Sequence, residues 1–259
     1  MISRQEAIAR RFGAAAASYD AHSAPQRHAA SRLATELATL SGPGPARVLE
    51  IGCGTGHLSE HLRRALPLAQ LVLTDIAPAM LAACAHRLAG ADKVRWATMD
   101  ASRPDQSGPF DLIAGNLVVQ WLDDLPTALT ALSRCLAPGG TLALSLLGES
   151  TFAQWQAAHR ARGLTAGTLP LRSRAAYAGA FPPEGTLTLV QEIWHDEPRD
   201  GLDFLRSLRA IGADAPAPGH RPLAAGQLRT LLRALGPRPA IRYEFIYALW
   251  QAPARGSAE

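Results

Sequence analysis

Residues 48–56 read Val-Leu-Glu-Ile-Gly-Cys-Gly-Thr-Gly, and residues 71–75 read Leu-Val-Leu-Thr-Asp. The pattern predicts a buried strand, a glycine-rich turn, a helix and a second strand that ends in an acidic residue. Glycine has no Cβ, so the turn can be tight and its backbone can approach a ligand closely. The carboxylate of Asp75, at the tip of the second strand, can accept hydrogen bonds from ribose hydroxyls. The unit therefore predicts a site for a nucleoside-containing cofactor.

The spacing of the glycines bears on which cofactor this is. A dinucleotide site uses G-x-G-x-x-G, with a helix N-terminus directed at a pyrophosphate. Here Gly52, Gly54 and Gly56 alternate and the dinucleotide position has no glycine. Glu50 beside them would repel a pyrophosphate but would help to hold a cationic ligand. An NAD or FAD site, and a turn that only joins strand to helix, remain as alternative interpretations.

The E-x-G-x-G-x-G pattern resembles motif I of the class I S-adenosylmethionine-dependent methyltransferases. Their cofactor carries a sulfonium and an ammonium group and no phosphate, which agrees with an acidic residue beside the loop. The resemblance implies that the cofactor contacts a set of loop residues, within which the small side chain of Cys53 has a packing role: Glu50, Gly52, Cys53, Gly54 and Gly56.

The composition bounds the class of protein. A chain of 259 residues with 47% apolar and 19% charged residues is typical of a globular protein with one large domain, or a domain with a cap. No apolar run is long enough to span a membrane, and the N-terminus lacks the apolar centre of a signal peptide, so we expect a cytoplasmic protein. Three scattered cysteines indicate neither disulfides nor a zinc site, and we expect no metal. The net charge of +4, with Lys93 as the only lysine, is compatible with an acidic partner but is not typical of nucleic-acid binding.

Strands and helices alternate along the middle of the chain. Strands near 47–51, 70–74, 93–98, 110–115 and 140–147 enclose helices near 56–66, 78–88 and 124–136, which predicts an α/β fold with a mostly parallel sheet covered on both faces. Helices near 4–11 and 25–40 come before it. Helices near 151–163, 173–180, 200–211 and 224–235 follow, together with strands 185–195 and 239–251 that can form a hairpin-like edge.

This organisation predicts three parts. Residues 1–42 form an N-terminal helical segment that is followed by a linker at 41–45. Residues 43–148 form the cofactor-binding core. Residues 149–259 supply lid helices inserted among the last two strands, with a polar tail at 252–259.

Several further candidates lie where predicted strands end, because ligands of open α/β sheets bind beyond the carboxyl ends of the strands. Met80 can pack against adenine or belong to the core, and Asp100 can accept from the adenine amino group or cap a turn. Backbone carbonyls at Asn116 and Leu117 can face the methionine part of the cofactor. Ile76 and Ala101 complete this set. Asp111 begins its strand, away from the site, so we interpret it as structural.

Gln120 and Trp121 follow the fourth strand, and we expect them to line the pocket, with core packing as the alternative for Trp121.

Three segments resemble the malonyl-acyl-carrier-protein O-methyltransferases of biotin synthesis. They read Phe12-Gly13-x-Ala15-Ala16-x-Ser18-Tyr19-Asp20-x-His22 with Gln26-Arg27, then Asn116-Leu117-x-x-Gln120-Trp121, then Leu205-x-x-Leu208-Arg209-x-Ile211-Gly212-Ala213. The resemblance implies a Rossmann-like class I methyltransferase fold with seven strands, N-terminal helices and a small helical lid. It also implies that the N-terminal segment closes over the cofactor through Tyr19, His22 and Gln26, although Tyr19 can instead be a buried ring that holds the N-terminal helix.

The same resemblance implies a reaction. A methyl group would move from S-adenosylmethionine to the free carboxylate of malonyl-acyl-carrier protein or malonyl-CoA, giving S-adenosylhomocysteine and the methyl ester that primes biotin (pimeloyl) synthesis. A carboxylate is already ionised at neutral pH, so the chemistry requires alignment and no general base. Tyr19, Gln120 and Trp121 are candidates for orienting the acceptor.

A cation is needed to orient the malonyl carboxylate, and arginine suits it because its planar fork binds bidentately. Among Arg160, Arg162, Arg172 and Arg174 we rank Arg160 and Arg172 first, against the alternative that each is a solvated surface residue. Because carrier proteins are acidic, we expect a further group of lid arginines to form their landing surface: Arg206, Arg209 and Arg221.

Two other functions remain open at this stage. A methyltransferase for another small acid or a quinone-like metabolite would share motif I. A cofactor-binding protein without catalysis is a further alternative, against which the presence of Glu50, the glycines, Asp75 and Asp100 argues.

Overall fold

The sheet has seven strands in the order β3-β2-β1-β4-β5-β7-β6. A computed structural model describes residues 3–40, 44–217 and 219–254 of the chain. The strands are β1 Arg47–Ile51, β2 Gln70–Asp75, β3 Val94–Thr98, β4 Phe110–Asn116, β5 Leu136–Leu147, β6 Thr186–Asp196 and β7 Ile241–Gln251. The predicted α/β fold with a mostly parallel seven-stranded sheet is confirmed.

The order of pairing brings the carboxyl ends of several strands to one edge of the sheet. β1 pairs in parallel with β2 and β4, so the ends of these three strands meet at one edge of the sheet. β7 runs antiparallel between β5 and β6 and pairs with β6 from Thr186↔Gln251 to Asp196↔Ile241. The predicted hairpin-like edge is therefore confirmed, with β7 as its inner strand.

The described helices lie close to their predicted positions. They are α1 Arg4–Ala15, α2 Tyr19–His22, α3 Ala24–Leu37, α4 His57–Ala65, α5 Pro78–Arg87, α6 Leu125–Ser133, α7 Ala153–Arg160, α8 Arg174–Ala178, α9 Gly201–Ala210 and α10 Ala225–Leu235. Local caps set several starts: Ser3 and Glu6 form a capping box at α1, and the carboxylates of Asp124 and Asp200 cap α6 and α9.

Several boundaries differ from prediction, and one helix was not predicted. α1 continues to Ala15, and the short helix α2 was not predicted. α6 stops at Ser133 because β5 begins at Leu136, which pairs with Phe110. α7 begins at Ala153, since Phe152 has a left-handed φ of 62°. Residues 41–43 of the predicted linker and 255–259 of the predicted tail lie outside the described residues.

Apolar residues cover both faces of the sheet. One core cluster joins α3, α4, α5 and α9 to the sheet and contains Leu33, Leu58 and Phe204. The other joins α6 and α8 to the opposite face and contains Leu129 and Tyr177. Within the described part of the chain, no helix has the length and apolar character needed to cross a membrane.

Candidate active site

The glycine loop joins the end of β1 to α4 in left-handed backbone. Gly52, Gly54 and Gly56 have φ values of 60°, 55° and 95°, which only glycine adopts at little cost. A Cβ on Gly52 would lie 2.5 Å from Cγ2 of Val118, whereas a Cβ on Gly54 would meet no atom within 4 Å. The sequence therefore places glycines where close approach and backbone conformation require them.

A cavity of about 80 Å³ lies above this loop, at the carboxyl edge of the sheet. We call it the cofactor cavity. It is lined by ten of the predicted cofactor residues: Tyr19, Gly52, Gly54, Asp75, Ile76, Met80, Asp100, Ala101, Asn116 and Leu117. Trp121, which was expected to line the pocket, also lines it, together with residues that were not predicted: Gln5, Ile8, Phe12, Met99, Val118 and Leu122.

Asp75 is held rigidly at the end of β2. Its two carboxylate oxygens accept hydrogen bonds from the backbone N–H groups of Gly54 (2.9 Å) and Ala77 (2.8 Å). Burial raises the pKa of this carboxyl group, while the backbone hydrogen bonds oppose the rise. Each oxygen keeps a lone pair beyond its backbone bond, so Asp75 can accept hydrogen bonds from vicinal hydroxyls in the cavity.

The neighbouring strand ends add further polar groups. Oδ1 of Asp100 accepts hydrogen bonds from the backbone N–H (2.9 Å) and hydroxyl (2.8 Å) of Ser102, so Asp100 caps a turn and also lines the cavity. Asn116 donates to the carbonyl of Gln26 (3.0 Å) and accepts from Ser145 (2.6 Å), which ties the end of β4 to α3 and β5. Leu117 follows with a left-handed φ of 50°.

Five predicted cofactor residues do not line this cavity. Cys53 and Gly56 belong to the loop, but a Cβ on Gly56 would face Sγ of Cys84 and the Arg87 side chain, and Cys53 is buried. His22 is exposed and its ring contacts the carbonyl of Ser18 (3.0 Å). Gln26 lines a different cavity, described below, and Glu50 lies beneath the loop.

Glu50 is the most unusual group of the loop. It is 1% exposed, and neither carboxylate oxygen has a hydrogen-bond partner among the described residues. Burial, followed by the nearby Cys84, raises its pKa well above the ordinary value. A buried carboxyl without partners below a glycine loop fits a cationic ligand better than a pyrophosphate.

A second cavity of about 370 Å³ adjoins the first, and we call it the inner cavity. The two cavities share a wall of one aliphatic and three aromatic residues: Phe12, Tyr19, Leu117 and Trp121. The Phe12 and Trp121 rings contact edge to face, with centroids 5.2 Å apart. Much of the remaining lining is apolar and comes from the lid and from the strand ends: Leu147, Phe152, Trp155, Leu205, Leu208, Ile211 and Tyr243.

Polar groups in the inner cavity are few. Burial and then the charges of Asp75 and Asp20 raise the pKa of Tyr19, so its phenol keeps its proton and can donate a hydrogen bond. Gln120 donates to the carbonyl of Leu117 (2.6 Å), while the Oε1 atoms of Gln26 and Gln120 are buried without partners among the described residues. These oxygens can accept hydrogen bonds from amide N–H groups.

The arginines are distributed differently from the prediction. Arg209, expected on a landing surface, lines the inner cavity. Arg160 lines an open groove beyond it, which we call the outer groove, and Arg172 lines none of these cavities. The backbone of Arg172 forms an isolated parallel bridge to Gly148, the residue after β5. Of the arginine side chains in the described chain, only Arg209 is available in the inner cavity.

The N-terminal segment is fixed to the core beside the glycine loop. Asp20 in α2 accepts a hydrogen bond from the Thr55 hydroxyl (2.6 Å) and forms an ion pair with Arg87 of α5. Ser18 donates to the carbonyl of Ala210 (2.7 Å), which joins the same segment to α9. We call the contacts of Asp20 with Thr55 and Arg87 the α2 latch.

The residues that prediction missed come from these attached segments. Phe12 and the lid residues Leu205, Leu208 and Ile211 stood in the segments that carried the family resemblance, yet nothing in their spacing indicated a cavity. Their apolar side chains are equally compatible with a core.

Comparison with known proteins agrees with this geometry. Residues 49–142 match a family described as a methyltransferase domain. The chain is 35% identical over 232 residues to a malonyl-[acyl-carrier protein] O-methyltransferase from Magnetococcus marinus, covering 89% of this chain and 86% of that protein. It is 41% identical to the biotin biosynthesis bifunctional protein BioCD of Bordetella avium, covering 95% of this chain but only 52% of that longer protein. A solved structure of a candidate methyltransferase from Bacillus halodurans has the same fold, with a TM-score of 0.60, 13% identity and coverage of 87% of this chain and 99% of that one.

Proposed function

Because the chain belongs to the malonyl-[acyl-carrier protein] O-methyltransferase family, we propose that it methylates the free carboxylate of malonyl-acyl-carrier protein or malonyl-CoA. The methyl donor is S-adenosylmethionine, and the products are S-adenosylhomocysteine and the malonyl methyl ester that enters biotin synthesis. The wall shared by the two cavities carries this proposal. A donor in one cavity and an acceptor in the other would meet at the boundary that Phe12, Tyr19, Leu117 and Trp121 line.

The cofactor cavity has residues suited to each part of the donor. Asp75 accepts hydrogen bonds from the ribose hydroxyls, and Met80 and Ala101 provide apolar contact for adenine, with Asp100 as its acceptor. The buried carboxyl of Glu50 lies below the loop, and a cationic ligand there would favour its ionised form and so oppose the rise in its pKa. When bound, S-adenosylmethionine supplies an electrophilic methyl group on its sulfonium.

The residues of the chain then need only to position the acceptor and exclude water. An ionised carboxylate is itself the nucleophile, so no side chain has to remove a proton. Tyr19 stays protonated and donates a hydrogen bond at the shared wall, and Gln120 and Trp121 restrict the acceptor beside it. Alignment in such a site is worth up to about 7–11 kcal/mol in well-oriented reactions.

Arg209 is the group that we propose to bind the malonyl carboxylate, in place of Arg160 and Arg172. It lies on α9 and reaches the lining of the inner cavity, where the guanidinium makes no hydrogen bond or ion pair with a described residue. Asp214 also lines the cavity, but its carboxylate is paired with Arg11 at 2.8 Å. Arg209 therefore remains available for an anionic substrate group.

The test combines labelled cofactor with two arginine variants. Wild-type protein should place label from S-adenosylmethionine into a base-labile ester of malonyl-acyl-carrier protein or malonyl-CoA. Arg209→Ala should raise KM for the malonyl thioester by about 10- to 100-fold, the loss expected for a charge-assisted hydrogen bond of about 1.5–3 kcal/mol, and should leave cofactor affinity unchanged.

Arg206→Ala is the matched control, because Arg206 is an exposed residue of the same helix that lines none of these cavities. Equal effects of the two variants would remove Arg209 from the role of anchor. Absence of label from every malonyl compound would refute the proposed reaction itself.

A further inference from the structure

The outer groove continues the inner cavity outward. It has a volume of about 940 Å³ and lies between the end of α7 and the segment that leads into α10. The two spaces have several lining residues in common: Ala166, Gly167, Thr168, Leu169, Leu171 and His220. A chain-like molecule that enters the inner cavity can therefore extend along the outer groove.

Two loops pack closely against each other at the junction where the two spaces meet. Gly167 has a φ of 66°, and a Cβ there would lie 2.6 Å from Nε2 of His220. The backbone N–H of Ala217 donates to the carbonyl of Gly167 at 2.9 Å, which fixes the two loops against each other.

The charge of the lining changes beyond this junction. Arg160, the last residue of α7, and Arg221, on the segment before α10, line the outer groove from its two sides. Both are exposed, and neither guanidinium makes a hydrogen bond or ion pair with a described residue. Glu149 is the acidic side chain of the groove, so two guanidinium groups face one carboxylate.

We infer that the outer groove binds the phosphate-linked pantetheine arm of the acyl thioester, with Arg160 and Arg221 at its phosphate. This inference rests on the proposed function, because the arm lies there only if the malonyl end enters the inner cavity. The arm is neutral and flexible except for its phosphate, which matches a groove that becomes cationic at a distance from the carboxylate site. Guanidinium groups bind phosphate oxygens bidentately, which a single ammonium cannot do.

The unpartnered amide oxygens of Gln26 and Gln120 support the same path. Both line the inner cavity, and the Oε1 atom of each is a buried acceptor without a described donor. A pantetheine arm carries amide N–H groups close to its sulfur. An acceptor in the inner cavity and a cation in the outer groove therefore match the order of groups along such an arm.

The experiment compares a substrate that lacks the phosphate of the arm with three substrates that carry it. KM values are measured for malonyl-pantetheine, malonyl-4′-phosphopantetheine, malonyl-CoA and malonyl-acyl-carrier protein with wild type and with the double variant Arg160→Ala/Arg221→Ala. We expect KM to rise about 10- to 100-fold for the three substrates that carry the phosphate and to stay unchanged for malonyl-pantetheine. Arg162→Ala is the control, because Arg162 is an exposed residue just beyond α7 that lines no part of the groove.

Three results would overturn the inference. The first is an equal rise in KM for malonyl-pantetheine and malonyl-4′-phosphopantetheine, and the second is no rise in KM for any substrate. The third is a rise in KM for malonyl-acyl-carrier protein alone, which would mean that the arginines bind the protein surface of the carrier and not the phosphate. Calorimetric titration with unacylated pantetheine and 4′-phosphopantetheine gives a readout that needs no methyl transfer. If no malonyl compound is methylated, the proposed function fails, and this titration still decides whether the two arginines bind the phosphate.

Discussion

At the scale of single residues, glycine serves two purposes in the loop: it adopts left-handed backbone, and it leaves out a Cβ where there is no space for one. Gly52 needs glycine for conformation and for space, because Val118 lies against the position of its missing Cβ. Position 54 requires glycine for its backbone conformation and not to avoid another protein atom, since a Cβ there would meet no atom within 4 Å. It also lines the cofactor cavity, so added atoms at Gly54 would occupy ligand space.

Gly52→Ala and Gly54→Ala should therefore differ in stability and in binding. Both substitutions should lower the free energy of unfolding by about 1–2 kcal/mol, because alanine is strained in left-handed backbone. Gly52→Ala should lower it by a further ~1–3 kcal/mol, because the new Cβ overpacks against Val118. Urea denaturation should show the larger loss for Gly52→Ala and partial recovery in Gly52→Ala/Val118→Ala. Calorimetric titration with S-adenosylhomocysteine measures the loss of affinity in each variant. Relative to the loss in the free energy of unfolding, the loss of affinity should be larger for Gly54→Ala than for Gly52→Ala. Equal destabilisation, without recovery, would contradict the assigned role of Val118.

Elements are coupled around α2 and the start of α4. His57, the first residue of α4, is buried and its Nε2 lies 2.8 Å from Oγ of Ser23 and 3.5 Å from Oδ1 of Asp20. Burial, and then the charge of Arg87, lower the pKa of His57 to about 4. A neutral imidazole thus stands beside the α2 latch at neutral pH.

This lowered pKa predicts a pH dependence of stability. The contribution of His57 to the free energy of unfolding is fully present above the ordinary pKa of 6.5. It is lost as the pH falls towards about 4, because His57 takes up a proton in the unfolded chain before it does so in the folded protein. The free energy of unfolding from urea titrations at pH 7, 6, 5 and 4.5 should fall less steeply in His57→Gln than in wild type. His86→Gln changes an exposed histidine at the end of α5 and should retain the wild-type slope. A slope in His57→Gln as steep as in wild type would assign the acid sensitivity to other groups.

Sequence reasoning predicted the position of a residue correctly where one residue type has one physical purpose at one place in the fold. The alternating glycines, Asp75 at a strand end and Asp111 at a strand start could all be interpreted locally, and Asp111 indeed accepts hydrogen bonds from the N–H groups of Ala46 and Arg47 at 2.9 Å. The arginines could not be placed in this way. Which of them reaches the inner cavity depends on how α9 packs against the N-terminal segment, and no local pattern encodes that packing.

The inner cavity illustrates the same limit. Its wall combines Phe12, Trp121, Phe152 and Leu208, which are distant in the chain and individually typical of core residues. Only the tertiary arrangement leaves space between them. The family resemblance located the segments, but the distinction between packing and lining required the structure.

At the scale of the whole molecule, three spaces lie in series: the cofactor cavity, the inner cavity and the outer groove. Each is closed by a different part of the chain, with the sheet edge and α1 around the first, α9 around the second and the segments flanking α7 and α10 around the third. Binding in the first space should therefore stabilise the entire fold, because the donor contacts the N-terminal segment and the core together.

Thermal unfolding should report this coupling. S-adenosylhomocysteine at about 100 times its Kd should stabilise the native state by about 2.7 kcal/mol, or roughly 5–10 °C in Tm for a protein of this size. Asp75→Asn should lose most of the shift at the same ligand concentration, whereas Asp92→Asn, an exposed loop change, should retain it. An unchanged shift in Asp75→Asn would exclude Asp75 from ribose binding.

The position of β7 has a consequence for how the protein is made. It is the last described strand along the chain, yet it lies inside the sheet between β5 and β6, and within the described residues β6 pairs with no other strand. During synthesis β6, and the edge of β5 that faces away from β4, lack their strand partner until residues 241–251 have emerged. Nascent chains arrested before that point should bind chaperones through β6 and the unpaired edge of β5, while the parallel strands β1–β5 can already assemble.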